Sequence, residues 1–352
     1  MKNRISLAFV FCALALLFVS SVKAQQPKAS PTPPPDVVSD DDVVRVTSNL
    51  VVVPVSVLDK NGQPIQGLKI SDFKITEEGR QQEITNIGDP DQVPLDIALL
   101  VDVSSSVDAR FDFEKQAASR FLKEVLKPGD RATVFIIDNK PRMIQTLGSA
   151  ETAAEKLMGI APARSFTAFY DTVADAARYL SKNSPSNHRR VIIVLSDGED
   201  TARLLDFTVS RIKNFDQLSK EERYKALLDV QKDSLRKLMS EAMKEVQKAD
   251  ASFYSINPSG QIMHLNASAA RSQEAMQTIA DTTGGTSFLP NNDEDLTKVF
   301  RQLVAELRGQ YLLQYYSGDE SPEGKYLRIN VKLPDRPELR VRSRVGYYKK
   351  TS

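Results

Sequence analysis

The chain has 352 residues, 41% of them hydrophobic and 26% charged, which suits about two domains with ordinary globular cores. With 47 bases against 46 acids and no dense basic patch, there is no electrostatic reason to expect nucleic acid as a partner. Cys12 is the single cysteine and lies in the apolar N-terminal run, so a chain cleaved after that run would hold no disulfide, thiolate metal site or cysteine nucleophile.

Residues 1–24 read as a secretory signal peptide. Lys2 and Arg4 form the basic start, Ile5 to Val19 the apolar run, and Val22-Lys23-Ala24 the small-residue cleavage site. The run is shorter than the ~20 residues a spanning helix needs, and no later stretch matches it. The mature chain is therefore expected to have no transmembrane segment and to be exported, to the periplasm, the envelope surface or the medium. Removing three bases and no acid leaves 44 bases and 46 acids, a net charge of −2. Residues 25–42 form a Pro-rich linker. Its segment QQPKASPTPPPD favours extended polyproline and spans roughly 35 Å, as a tether or as an N-terminal remnant.

Residues 43–93 read as β-structure: VVRVTSNLVVVPVSVLD is rich in β-branched residues, Asn61-Gly62 marks a turn, and DFKITEEG and RQQEITNIG follow. The character changes at Pro94. LDIALLVDV, RATVFIID, RRVIIVLSD and ASFYSIN are apolar runs of the kind buried on both faces of a parallel sheet. RMIQTL and TSFLP are shorter strands. Helical spacing appears between them, with Phe113, Ala117, Phe121, Leu122 and Val125 on one face, then a helix over 167–182, another over 273–282 and a last one over 293–307. The fold class is α/β: a doubly wound, mostly parallel sheet over 94–309 with helices on both faces. Within it, residues 201–249 are longer than a single crossover requires. Leu227, Leu228, Leu235, Leu238, Met239, Met243 and Val246 fit a long amphipathic helix there, which either flanks the strand edge or simply packs on the sheet. Residues 310–352 return to β-structure (YLLQYYS, KYLRINVKL, LRVRSRVGYY). Three or four strands at either end are too few for a core, so the flanks are expected to build one β-sandwich into which the α/β domain is inserted.

Three separated pieces belong at the carboxyl edge of the sheet, where doubly wound folds bind ligands: Asp102-Val-Ser104-Ser105-Ser106 after the first strand, Thr167 at a helix start, and Asp197 in LSDGED. All offer hard oxygen atoms, which suit Mg²⁺, Mn²⁺ or Ca²⁺. Alternate residues after a strand can point the same way, so 102, 104 and 106 can converge on one ion. The hydroxyls add no charge, and the ion would stay ready to accept a carboxylate. Asp108 and Asp200 read as solvated loop acids, with Asp200 and Ser105 as the candidates for supporting the ligands.

This D-x-S-x-S, Thr and Asp set resembles the metal-ion-dependent adhesion site (MIDAS) of the von Willebrand factor A family. Residues 94 to 308 follow that family's order of elements. The resemblance implies Ser104, Ser106 and Thr167 as hydroxyl ligands and Asp102 and Asp197 as acidic members acting through water. It implies Mg²⁺ first among cations, a protein partner presenting Asp or Glu, and a last helix able to couple the domain to the sandwich. Relatives with a second metal site carry acids where this chain has Ala109 and Arg110, so that site is not expected. The flanks and the ELRGQYLLQYY … RVRSRVGYY ending resemble a secreted subfamily of acidobacteria.

The function expected is metal-dependent adhesion or protein binding without catalysis. The alternatives are a non-catalytic scaffold or assembly subunit of an envelope complex, and a metal-assisted hydrolase. No G-x-S-x-G elbow is present, and His188 and His264 both read as solvent-facing, His188 on the opposite edge from the site. An intracellular subunit serving an ATP-driven partner fits poorly with the leader, and the chain has no P-loop.

Overall fold

The computed structural model describes residues 49–103, 109–163, 165–202, 212–260 and 267–350. The expected leader and linker, Ser104, Ser105, Ser106, Asp108 and His264 lie outside the described residues, as do the side chains of Ala109 and Arg110.

The central sheet has six strands: β5 (Leu95–Asp102), β6 (Arg131–Ile137), β7 (Arg142–Gly148), β8 (Arg189–Leu195), β9 (Ala251–Ile256) and β10 (Ser287–Phe288). They lie in the order β10-β9-β8-β5-β6-β7, all parallel except β7, which turns back on β6. Every residue of β5 and β8 is buried, as the unbroken apolar runs require. One face is covered by α1 (Ala109–Val125), α2 (Ala150–Met158) and α6 (Asp293–Arg308), through Phe121, Leu157, Phe300 and Leu303. The other face is covered by α3 (Phe169–Asn183), α4 (Lys220–Lys248) and α5 (Ala267–Thr283), through Phe169, Val173, Val246 and Ile279.

Two elements differ in detail from expectation. The helix α2 has no counterpart in the periodicity reading, because its buried face is mostly alanine. Ser149 caps its start by accepting from Thr152 N–H, and Ala150, Ala153, Ala154 and Leu157 are buried. The long helix α4 forms as expected, opened by the Ser219–Glu222 capping box, but only its C-terminal half is apolar against the protein. Leu235, Leu238, Met239, Met243 and Val246 join the core, whereas Tyr224 and Leu228 are exposed. That half of α4 is itself the helix connecting β8 to β9.

The flanks form two antiparallel sheets. The first has order β13-β1-β11-β4, from β1 (Leu50–Leu58), β4 (Asn86–Gly88), β11 (Tyr311–Tyr316) and β13 (Arg340–Ser343). The second has order β14-β12-β2-β3, from β2 (Lys74–Glu77), β3 (Arg80–Gln82), β12 (Tyr326–Lys332) and β14 (Gly346–Tyr348). The RQQEITNIG segment thus divides between the two sheets, β3 in one and β4 in the other. Each sheet pairs strands from before and after the α/β segment, and Val53, Val55, Ile75, Leu313, Tyr315 and Val331 share one core. The last helix is bound to this body by Glu306. Its fully buried carboxylate accepts from Ser56 Oγ (3.0 Å) and Tyr254 OH (3.0 Å) and pairs with Arg342.

Candidate functional site

Parallel pairing puts the carboxyl ends of β5, β6, β8 and β9 on one edge. The register Val101↔Leu195 sets Asp102 beside Ser196, one residue beyond β8. Asp102 is 6% exposed, and Ser196 Oγ donates to its Oδ2 at 2.6 Å. Ser196 Oγ in turn accepts from Gly198 N–H at 2.9 Å. Gly198 has φ of +78°, and a Cβ there would lie 2.8 Å from Met276, so both the turn and the close approach of α5 require glycine. Asp197 Oδ1 accepts from Glu199 N–H at 3.0 Å, an Asx turn that closes the loop, and among the described residues Asp197 has no ion pair.

Thr167 is 3% exposed. Its N–H donates to Thr201 Oγ1 (2.8 Å), and its carbonyl accepts from Thr201 N–H (2.9 Å) and Ala202 N–H (3.0 Å). The next residue, Ala168, donates its N–H to the carbonyl of Asp138 just past β6, at 2.8 Å. The third link runs from Ala163 N–H to Val103 O at 2.9 Å. The three pieces therefore close a triangle: 102 to 196, 103 to 163, and 167 to 201. The structure brings Asp102, Thr167 and Asp197 to one edge. Ser104 and Ser106, the other two expected ligands, and Ser105 lie outside the described residues.

Asp200 differs from the reading as a solvated acid. It is 7% exposed, and its Oδ2 accepts from Tyr170 N–H at 3.1 Å in the first turn of α3. A carboxylate there satisfies an orphan amide and suits the positive end of the helix dipole. Glu199, which the sequence reading passed over, has its carboxyl pushed up by burial and by the Asp197 charge, against the Ser268 hydroxyl and the Arg271 charge. Phe166, beside Thr167, is 47% exposed, a large ring facing solvent at this edge. Neither Ser196, Thr201 nor Asp138 stood out in the sequence; the one available signal was that Ser196 directly precedes Asp197 after an apolar strand.

His188 is also not solvent-facing. It stands at the opposite edge, as expected, but its Nδ1 lies 3.0 Å from Asp96 Oδ2 and its side chain is only 15% exposed. Asp96 sits at the start of β5 with no exposed surface, and Arg131 holds it through Nε (2.9 Å) and Nη2 (2.7 Å). No helix among the described residues is long and apolar enough to cross a membrane.

The donor chemistry at the carboxyl edge fits a hard divalent cation: two carboxylates and a buried threonine on three hydrogen-bonded segments, with no sulfur or imidazole among them.

Residues 97–199 match the model of the von Willebrand factor type A domain. Among solved structures, the chain is similar to an aerotolerance-related membrane protein from Bacteroides fragilis, with 15% identity, 60% of this chain and 98% of that one covered, and a TM-score of 0.40. It is similar to the PilB minor pilin from Streptococcus sanguinis, with 14% identity, 65% and 64% covered and a TM-score of 0.43. It is similar also to proximal thread matrix protein 1 from the mussel byssus, solved with a zinc-occupied MIDAS motif, with 15% identity, 64% of this chain covered and a TM-score of 0.42. The chain spans about half, 48%, of that mussel protein. No curated protein matches the sequence. The chain carries a von Willebrand factor type A domain, matched directly over residues 97–199.

Proposed function

We propose that this chain is an exported protein-binding or adhesion module in which Asp102, Ser104, Ser106, Thr167 and Asp197 hold a divalent cation, Mg²⁺ in the first place, with Mn²⁺ and Ca²⁺ as the other candidates. The observation that carries the reading is the closed triangle of hydrogen bonds linking the three segments. It holds Asp102 and Thr167, distant in sequence, at one strand edge and in a buried setting. When bound, the cation supplies an electron-poor centre for an Asp or Glu carboxylate of a protein partner.

The chain's own residues do the positioning. Ser196 fixes the Asp102 carboxylate, Thr201 fixes the Thr167 loop, and Asp200 anchors the start of α3 behind it. Hydroxyl ligands complete the set without adding negative charge, which keeps the site receptive to a further acid. Phe166 offers an exposed aromatic ring beside that position, a residue type enriched at the cores of protein interfaces. Binding without catalysis agrees with the placement of His188 at the far edge, locked against Asp96.

The test is thermal unfolding of the purified chain in Mg²⁺ against chelator. At a free ion concentration about 100 times Kd, the wild type should gain roughly 2.7 kcal/mol. Asp102→Ala and Ser104→Ala should each lose that gain. Equal gains in wild type and both variants would remove the site assignment.

A further inference from the structure

Between α4 and α5 the surface opens into a groove with a cavity volume of about 260 Å³. Helix spacing builds its α4 wall, because Lys232, Leu235, Arg236 and Met239 fall on one stripe, and Ser268 and Arg271 line it from α5. The three basic side chains are exposed at the rim, whereas Leu235 and Met239 are half-buried and continuous with the core below. Glu274 is the one acid among the lining residues. Asp233 lies 3.6 Å from Arg236, but both side chains are 68% exposed, so water screens that pair and leaves the guanidinium available.

The groove begins at the loop that carries Asp197. Tyr170 lines it while donating its N–H to Asp200, and the Ser268 hydroxyl bonds Glu199. A partner lying on the strand edge would therefore extend naturally along it.

We infer that the α4–α5 groove is a second subsite, which takes an acidic segment of a protein partner, carboxylates on Lys232, Arg236 and Arg271 and an apolar side chain on Leu235 and Met239. Charge complementarity names the occupant: three bases face one acid over an apolar floor, in a chain whose overall charge is close to zero. A single-stranded nucleic acid fits less well. The lining offers one aromatic ring, Tyr170, and at 6% exposure it presents no face on which a base can stack. The inference rests on the reading of this chain as a protein binder. It does not rest on the cation, since no groove residue belongs to the proposed ligand set.

The test uses a fluorescein-labelled peptide of alternating Glu-Glu-Leu, titrated by anisotropy into the full chain in EDTA, where the strand edge contributes no cation. The peptide should bind, weaken as salt screens the pairs, and bind Arg236→Glu/Arg271→Glu roughly tenfold more weakly. Lys232→Glu, at an exposed position, gives an independent charge reversal should the double variant lose its folded Tm. Unchanged affinity in these variants overturns the subsite, as does no binding without divalent ion, a result that would leave the cation reading standing. Equal affinity for a labelled oligothymidylate of the same charge overturns the peptide as occupant. Absence of a magnesium effect on Tm, by contrast, would sink the cation site and leave the groove untouched.

Discussion

The two ends of β5 present two buried aspartates in opposite circumstances. At the start of the strand, Asp96 is held by a cation: Arg131 grips it with two nitrogens, and the His188 ring closes from the other side at 3.0 Å. At the end, Asp102 accepts a 2.6 Å bond from the hydroxyl of Ser196, a neutral donor. Guanidinium cancels the carboxylate's charge, whereas a hydroxyl orients it without cancelling anything. One strand thus carries a structural ion pair on one edge and, in our reading, a poised ligand on the other, although the two acids differ little in burial.

The largest expected effect comes from the structural end. Asp96→Asn should cost about 3 kcal/mol of unfolding free energy, since it leaves the Arg131 charge without its partner. It should leave any magnesium-dependent gain in Tm intact. The acid limb should change as well. Burial pushes the Asp96 carboxyl up, but Arg131 foremost, with lesser contributions from Ser184 and His188, outweighs it and holds it below its ordinary value of 3.8. A carboxyl depressed in the folded state contributes stability that is fully present above 3.8 and is lost as pH falls from there through the folded value. Tm followed downward from neutral pH should therefore fall less steeply below pH 3.8 in Asp96→Asn than in the wild type.

Ser196→Ala removes a hydroxyl bonded to a charged group and should cost about 1.5 kcal/mol in chelator, while weakening the response to Mg²⁺ by freeing the Asp102 rotamer. A variant with full magnesium response would show that Ser196 does not orient the carboxylate. The smallest effect is expected for Asp102→Asn in chelator, under about 1 kcal/mol, because the amide oxygen still accepts from Ser196. Equal costs for Asp96→Asn and Asp102→Asn in chelator would erase the contrast between the two ends.

Much of the sheet was legible because its strands are unbroken apolar runs: LDIALLVD and RRVIIVL could be placed, and with them the edge on which Asp102 and Asp197 end up. Thr167 followed, since it precedes an amphipathic helix whose Phe169, Val173, Ala176, Ala177 and Leu180 are all buried. The helix α2 was not legible, as alanines at 150, 153 and 154 carry little hydrophobic signal until a sheet lies beneath them. Asp200 and His188 were read as solvated from their polar neighbourhoods, and tertiary partners 30 and 92 residues away bury them instead.

Local pattern, then, determined the alternation of strands and helices, the type of oxygen donors and the edge they share, because burial periodicity and strand direction are written in neighbouring residues. Only the tertiary structure decided that Arg131 grips Asp96 while Ser196 donates to Asp102, that Ser196, Thr201 and Ala163 close the site into a triangle, and that α4 and α5 leave a basic groove beside it. Those outcomes depend on side chains separated by tens of residues meeting at hydrogen-bond distance, and no local periodicity encodes such a meeting.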